Sequence, residues 1–162
     1  MTIHSDATNA GRNGTRLLSS HTLHIPAPVS DVFPLFCPVR EVDWLDGWAY
    51  TMHYAESGLA EEHGVFSTEG AIWVCTAYQP VQGHVAYLRV EPGLAVTHLE
   101  ISCQPATDSG TTVAIHYRFT SLSPAGDAHI IARQQASAAV TSWFERAITH
   151  FLATGTKLLK SS

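Results

Sequence analysis

A change in hydrophobic period along the chain limits the folds that this sequence can adopt. Between residues 48 and 121, short stretches with alternating apolar residues are separated by Gly, Pro, Asp and Ser, which is typical of antiparallel strands. Between Ser123 and Gly155, apolar residues recur at spacings of three and four, which is typical of an amphipathic helix. Several strands followed by one long helix predict an α+β domain whose sheet covers that helix.

The predicted elements follow one another in a definite order. A strand, two short helices and six further strands precede the helix, with the strands at residues 17–25, 48–55, 65–68, 71–79, 84–91, 94–103 and 111–121. Ser30 and Asp31 are suited to cap the first short helix, and the second covers residues 39–45. Ser123 and Pro124 begin the last helix and Gly155 ends it after roughly 28 residues.

Composition sets the domain count and the classes of partner. The chain has 162 residues, 45% of them hydrophobic and 14% charged, which is enough for one domain with one core. We expect a disordered tail at residues 1–15 and a single domain at residues 16–158. A net charge of −5 without Lys/Arg clusters argues against nucleic acid, and no apolar run is long enough for integral membrane contact. Three separated cysteines, none in a CxxC pair, favour a reducing cytoplasm.

Turn residues predict the strand register and therefore the two faces of the sheet. A two-residue hairpin at Pro92-Gly93 would place Tyr87 opposite His98. A four-residue loop at 80–83 would place Gln79 opposite His84. The face predicted to point inward contains Trp73, Cys75, Ala77, Ala86, Leu88, Val90, Thr97, Leu99 and Ile101, followed on the last strand by Val113, Ile115, Tyr117 and Phe119. The face predicted to point outward contains Ile72, Val74, Tyr78, Val85, Tyr87, Arg89, Val96, His98, Glu100, His116 and Arg118.

A sheet that one helix cannot fill leaves an apolar cavity, in which we predict a ligand site. The predicted lining is Trp44, Trp48, Tyr50, Trp73, Cys75, Leu88, Thr97, Leu99, Ile115, Tyr117, Phe119 and Phe144. The hydroxyls of Tyr117 and Thr97 either orient a ligand or bond to neighbouring backbone groups. The charged residues Arg133, Glu145 and Arg146 are predicted on the solvated side of the long helix.

Glu41 and Tyr117 are the candidate catalytic residues. A carboxylate beside the indoles of Trp44 and Trp48 could exchange protons with an apolar substrate. Alternatively, the indoles close the core and Glu41 pairs with Arg40 or caps a backbone group. The sequence contains no GxSxG, HExxH, phosphate-binding loop or dinucleotide motif, so it gives no support for those chemistries.

Ten histidines raise the question of a metal site. The predicted register aligns Tyr87, His98 and His116 in one outward row with Glu100 diagonal to it, a set that could hold zinc weakly. Histidines are also common on half-exposed strands, and we expect no bound metal. Association of two copies of the chain through this outer face is the alternative use of the surface.

Three sequence segments resemble the SRPBCC superfamily, which includes START lipid-transfer domains, Bet v 1-like proteins and polyketide cyclases. They are IPAPVSDVFPLFCPVREVDWLDGW at 25–48, IWVCTAYQP at 72–80 and YRFTSLSPAGDAHI at 117–130. The resemblance covers about residues 17–155 and implies the helix-grip fold, a curved antiparallel sheet around a long C-terminal helix. Because the inward face is apolar with few hydroxyls and catalytic motifs are absent, we expect binding of a small hydrophobic or amphipathic ligand, such as a lipid, polyketide or aromatic compound, with no cofactor. Alternatives are a cyclase, dehydratase or hydrolase acting in the same cavity, and a protein-interaction domain.

Overall fold

A computed structural model describes residues 14–161 and contains the predicted elements in the predicted order. The strands are β1 (Arg16–Ile25), β2 (Thr51–Tyr54), β3 (Val65–Thr68), β4 (Ala71–Gln79), β5 (His84–Glu91), β6 (Ala95–Pro105) and β7 (Thr111–Ser121). The helices are α1 (Val29–Val32), which continues into a 3-10 turn (Phe33–Leu35), α2 (Pro38–Trp44) and α3 (Pro124–Thr154). Most of the predicted tail, residues 1–13, lies outside the described residues. Thr15 is described and donates its backbone N–H to Ser121 Oγ at 3.1 Å.

The seven strands form one antiparallel sheet in the order β1-β7-β6-β5-β4-β3-β2. One face of this sheet packs against α3, which contacts β1, β6 and β7, while α2 packs against α3. This arrangement confirms the predicted α+β helix-grip architecture. Within residues 14–161, no helix combines the length and the apolar character that crossing a membrane requires.

The ends of α3 follow the predicted capping residues. Ser123 Oγ accepts a hydrogen bond from the backbone N–H of Gly126 at 3.0 Å, and Gly155 ends the helix in the left-handed conformation with φ 71°, which glycine adopts without strain. Gly126 is also required by packing, because a Cβ there would lie 1.9 Å from the carbonyl oxygen of Leu94. The first turn of α3 therefore sits directly on the loop between β5 and β6.

The predicted register is correct at one end of β5 and wrong along the rest of it. Gln79 lies opposite His84 as predicted, but a bulge between Cys75 and Ala77 shifts the pairing of β4 with β5 by one residue. The loop after β5 has three residues, since Glu91 pairs with Ala95, where two were predicted. Tyr87 consequently lies opposite Leu99 instead of His98.

A one-residue shift moves the side chains of a strand to the other face of the sheet. Tyr87 and Arg89 therefore point inward, beside Cys75 and Trp73, and Leu88 lies on the outer face between Val74 and His98. Val90 likewise moves to the outer face, and Val85, predicted outside, is fully buried. Tyr78, also predicted outside, stacks on Phe33 with ring centroids 5.9 Å apart.

The outer row proposed for a metal does not form. Tyr87 is buried on the inner face, His98 lies opposite Leu88 and Arg118, and His116 lies opposite Glu100. The predicted alignment of His98 with His116 would require Ser102 to lie opposite Thr112, but Ser102 pairs with Ala114. The predicted faces of β7 are confirmed, with its inward residues buried and its outward residues exposed: Val113, Ile115, Tyr117 and Phe119 inside, His116 and Arg118 outside.

Candidate functional site

A cavity of about 250 Å³ lies between the inner face of the sheet, α2 and α3. Its lining is Phe36, Pro38, Glu41, Leu45, Trp48, Phe66, Thr68, Trp73, Tyr87, Arg89, Leu99, Ile101, Ile115, Tyr117, Arg133, Val140 and Phe144. A groove of about 440 Å³ adjoins it and shares Leu45, Trp48, Val140 and Phe144 with the lining. These four residues therefore mark the entrance from the groove into the cavity.

Aromatic rings form a rigid wall on the side of β3, β4 and β5. Phe66 and Trp73 stack with centroids 5.5 Å apart, and Tyr87 meets Phe66 edge to face at 6.0 Å. Trp73 Nε1 donates to Thr68 Oγ1 at 2.9 Å, and the Tyr87 hydroxyl donates to the carbonyl oxygen of Phe36 at 2.9 Å. Because the N–H of Trp73 and the O–H of Tyr87 already donate to protein acceptors, this wall offers a ligand mainly apolar contact.

Glu41 is the acidic group of the cavity lining. Pro38 occupies the first turn of α2, and the carboxyl of Glu41 extends from this helix to the cavity. Within the described part of the chain, the carboxyl has no hydrogen-bond or ion-pair partner. Burial without such a partner raises the pKa of Glu41 from its ordinary value of 4.5 to about 8. The group is therefore mainly protonated at pH 7 and can donate a hydrogen bond.

Tyr117 supplies a hydroxyl from β7. Its ring is 8% exposed and stacks on Phe119 with centroids 5.5 Å apart. Burial raises the pKa of Tyr117 to about 12, with a small opposing contribution from Arg133. No hydrogen bond to this hydroxyl exists within residues 14–161, so it is available to donate to or accept from a ligand.

A cationic cluster forms the wall between β5 and α3. Glu91 Oε2 lies 2.5 Å from Arg89 Nη1, 3.0 Å from His129 Nε2 and 3.9 Å from Arg133 Nη1. The guanidinium of Arg89 lies over the Trp73 ring at 5.5 Å, which favours its charged form by a cation–π interaction. Burial, and to a smaller extent the neighbouring Arg133, lowers the pKa of Arg89. Two of the four residues, Arg89 and Arg133, line the cavity.

The structure brings about half of the predicted ligand-contact residues to the cavity. The predicted residues in its lining are Trp48, Trp73, Leu99, Ile115, Tyr117 and Phe144, together with the candidate acid Glu41. Trp44 is instead a core residue, since it is fully buried and its Nε1 donates to the carbonyl oxygen of Leu35 at 2.9 Å. Tyr50 packs edge to face on Phe66, outside the lining. Phe119 lies behind Tyr117, also outside the lining.

Three further predictions differ from the structure. Leu88 lies on the outer face of the sheet, because the bulge and the longer loop turn β5 over. Cys75 faces a separate small cleft and donates to the carbonyl oxygen of Ala77 at 3.4 Å; burial raises its pKa to about 11, which disfavours the nucleophilic thiolate. Thr97 is on the inner face opposite Arg89 but is 2% exposed and lies outside the lining.

Three lining residues with charged or phenolic side chains are not predicted from the sequence: Arg89, Arg133 and Tyr87. Arg89 and Tyr87 were predicted outside because a slip of one residue reverses a strand, and Arg133 was grouped with the solvated side of α3. The spacing of Arg133 along α3 indicates its inward direction. It lies three residues after Ile130, a buried position of the same helix, and therefore on nearly the same helical face.

Comparison of structures finds solved proteins with a similar fold, whereas comparison of sequences finds no match. No protein-family model and no curated protein matches the chain. Norcoclaurine synthase from Thalictrum flavum, solved with dopamine and hydroxybenzaldehyde, has a TM-score of 0.66 and 10% identity, covering 93% of this chain and 91% of that one. Ara h 8.0201 has a TM-score of 0.61 and 13% identity, covering 86% and 99%. CalU16 from Micromonospora echinospora has a TM-score of 0.59 and 16% identity, covering 85% and 87%.

These matches confirm the helix-grip fold that the resemblance to the SRPBCC superfamily implies. Bet v 1-like proteins and polyketide cyclases have this fold. At identities of 10% to 16% they establish the fold alone. Ligand and chemistry therefore have to be inferred from the cavity of this chain.

Proposed function

We propose that this protein binds a small apolar or amphipathic molecule in the cavity between the sheet and α3. The proposal rests on a preformed cavity with an aromatic wall and on the Tyr117 hydroxyl, which has no hydrogen-bond partner within residues 14–161. Rings already held in place by hydrogen bonds lose little conformational freedom when a ligand binds. The solved structure of norcoclaurine synthase with two small aromatic molecules adds support by analogy of fold.

The size of the cavity favours an aromatic compound or a short chain among the classes that the family resemblance suggests. Its volume of about 250 Å³ lies just below the range of ~300–1,000 Å³ usual for small-molecule sites. A ligand with one or two rings fits this space, and a longer lipid or polyketide would have to extend past Val140 into the groove. The ligand would contact the predicted residues Trp48, Trp73 and Phe144 through its apolar surface.

Titration calorimetry with a neutral aromatic probe, 2-naphthamide, tests the proposal. Val140, 41% exposed at the entrance, is replaced in a blocking variant, Val140→Trp. The matched control is Ile131→Trp, because Ile131 is 43% exposed on the same helix and does not line the cavity. We expect saturable binding that the first substitution weakens about tenfold or more, equivalent to ~1.4 kcal/mol, and the second leaves unchanged. Binding that both variants retain would contradict a site inside the cavity.

A second candidate function is proton-transfer catalysis on a carbonyl compound, of the kind that cyclases and dehydratases use. It is favoured by Glu41, whose pKa of about 8 suits exchange of a proton near neutral pH. In this function the ionised form of Glu41 would remove a proton next to the carbonyl, while Tyr117 donates a hydrogen bond to the carbonyl oxygen; the protonated Glu41 would then return a proton to the same carbon. Deuterium exchange at carbon 1 of 2-tetralone in D₂O, followed by NMR, tests it. Acceleration by the wild type that Glu41→Gln retains would exclude Glu41 as the base.

Two further proposals concern the cellular compartment of the protein and its association with other chains. We place the protein in a reducing cytoplasm, which agrees with three free, buried cysteines. We also predict that two copies of the chain associate through the outer face of the sheet. Binding of a different protein to that face is the alternative prediction. The apolar residues available there are Ile72, Val74, Leu88, Val90 and Val96. Sedimentation velocity of the wild type and Ile72→Lys tests it: a dimer would become a monomer in the variant.

A further inference from the structure

The cationic wall of the cavity has more positive than negative charge. Arg89 and Arg133 each contribute one positive charge, and Glu91 is the only carboxylate that contacts either of them within residues 14–161. The side chains of Arg89, Glu91 and Arg133 are 12%, 9% and 31% exposed. Because a largely buried charge without a partner is costly, the cluster favours a further negative group beside it.

Hydrogen-bond donors at this wall also lack partners. Within residues 14–161, Arg133 Nε is buried without a hydrogen-bond partner. The same is true of Thr97 Oγ1, which lies on the strand beside Arg89, behind the cavity lining. Among residues 14–161, Glu91 is the only group of opposite charge near the Arg133 guanidinium, and at 3.9 Å it is too far for a hydrogen bond. The guanidinium also lies over the ring of Phe119, 6.0 Å from its centroid. Within the described residues, Arg133 therefore has an aromatic contact and a long ion pair but no side-chain hydrogen bond.

We propose that the ligand of the cavity is an organic carboxylate whose carboxylate group binds Arg133 and Arg89 while its apolar part contacts the aromatic wall. This inference rests on the proposed function and specifies the chemical class of the ligand. Arginine binds a carboxylate through two parallel hydrogen bonds. A single negative charge matches the excess of one positive charge, two guanidiniums against Glu91, whereas a phosphate would bring nearly two negative charges.

The other side of the cavity is compatible with an anion at neutral pH. Glu41, the acidic group of the lining, is mainly protonated there, because burial raises its pKa to about 8. His129 also contacts Glu91, at 3.0 Å, so this one carboxylate is shared by His129 and the two arginines. Tyr117, with a pKa raised to about 12, keeps its proton and offers a hydrogen-bond donor.

Two probes of the same shape and different charge, 2-naphthoate and 2-naphthamide, test the inference on the unmodified protein at pH 7. We expect 2-naphthoate to bind at least about tenfold more tightly, as charge-assisted hydrogen bonds imply. Equal affinity for the two probes would overturn the anionic ligand and leave the proposed cavity function intact. If neither probe binds, both the proposed function and this inference fail.

The variant Arg133→Met identifies the group responsible, because methionine keeps much of the apolar stem and removes the charge. We expect its affinity for 2-naphthoate to fall about tenfold and its affinity for 2-naphthamide to change less than about twofold. The matched control is Arg146→Met, since Arg146 lies on the same helix over the Trp143 ring at 5.0 Å and outside the cavity. If Arg133→Met and Arg146→Met bind 2-naphthoate equally well, the inference is wrong.

Folding and salt effects are separated by two further measurements. Unchanged affinity of Arg133→Met for 2-naphthamide shows that the cavity is intact, and if that variant does not fold, Arg133→Lys takes its place, with weaker binding of 2-naphthoate expected because lysine lacks the paired donors. Inorganic phosphate at millimolar concentration should compete poorly with 2-naphthoate. Complete competition by phosphate would contradict the choice of a carboxylate.

Discussion

Two buried carboxyl groups, Glu41 in the cavity lining and Glu91 beside the lining residues Arg89 and Arg133, avoid an unpaired buried charge in opposite ways. Glu41 has no partner among the described side chains, and its pKa is raised to about 8. Glu91 is more deeply buried, at 7% exposure, and contacts Arg89 and His129 at 2.5 and 3.0 Å. The first carboxyl avoids the cost of a buried charge by keeping its proton, and the second does so by pairing.

The difference divides the cavity into two chemical sides. The side of α2 is apolar and can exchange a proton, whereas the side of β5 and α3 is cationic and has free donors. An amphipathic ligand with one charged end satisfies both sides in a single orientation. Substitutions that exchange or remove these properties test whether the two sides act independently.

The largest effect is expected from Glu91→Gln. Removing this charge leaves Arg89, Arg133 and His129 without a nearby carboxylate, which should lower the free energy of unfolding by about 3 kcal/mol. Urea denaturation at pH 7 measures the change, with Glu100→Gln on the outer face as the control. Addition of 2-naphthoate should return part of the loss. Equal stability of the two variants would show that Glu91 is not needed to balance the arginines.

A smaller and pH-dependent effect is expected from Glu41→Gln. Folded protein holds a proton on Glu41 up to about pH 8 that the unfolded chain releases near pH 4.5, so this group makes the protein less stable as pH rises through that window. At pH 9 the glutamine variant should be about 2 kcal/mol more stable than the wild type. The difference between the two proteins should be nearly constant below pH 4.5. Denaturation at pH 4, 6.5 and 9 measures it; the same difference at all three values would mean that the pKa of Glu41 is the same in the folded and unfolded states.

The smallest effects come from the two tyrosines. Tyr117→Phe should weaken binding of 2-naphthamide about fivefold and leave stability nearly unchanged, because the hydroxyl has no partner among the described residues. Tyr87→Phe should instead cost about 1 kcal/mol of stability, because it removes the 2.9 Å hydrogen bond to the carbonyl oxygen of Phe36. Calorimetry and urea denaturation on both variants check the contrast. If Tyr117→Phe binds like the wild type, the hydroxyl does not contact the ligand.

The elements of the fold are predictable from the sequence because each rests on local signals. Alternation predicts β7 and its inward face correctly, and Ser123, Pro124 and Gly155 mark the ends of α3. The cavity is less predictable, since its composition depends on register. Because of one bulge at Thr76 and one additional loop residue, Leu94, the side chains of Tyr87 and Arg89 point inward and that of Leu88 points outward. Neither irregularity has a distinct residue pattern, and proline followed by glycine is compatible with loops of two or three residues.

The partners of charged residues are also set by tertiary structure. Glu91 and His129 are 38 residues apart in the sequence and meet only because the first turn of α3 sits on the loop after β5. The pairing of Glu41 with Arg40, one alternative from the sequence, does not occur, because Arg40 Nε donates to Asp43 at 2.9 Å. Helix spacing favours that contact three residues away and leaves Glu41 to the cavity.

Intermolecular NOEs from bound 2-naphthoate to the isotope-labelled protein would show where the ligand binds. We expect contacts from the naphthalene protons to Trp73 and Phe144 inside the cavity, with the carboxylate end near Arg133. Contacts confined to Ile72, Val90 or Val96 would place the ligand on the outer face of the sheet and contradict binding in the cavity.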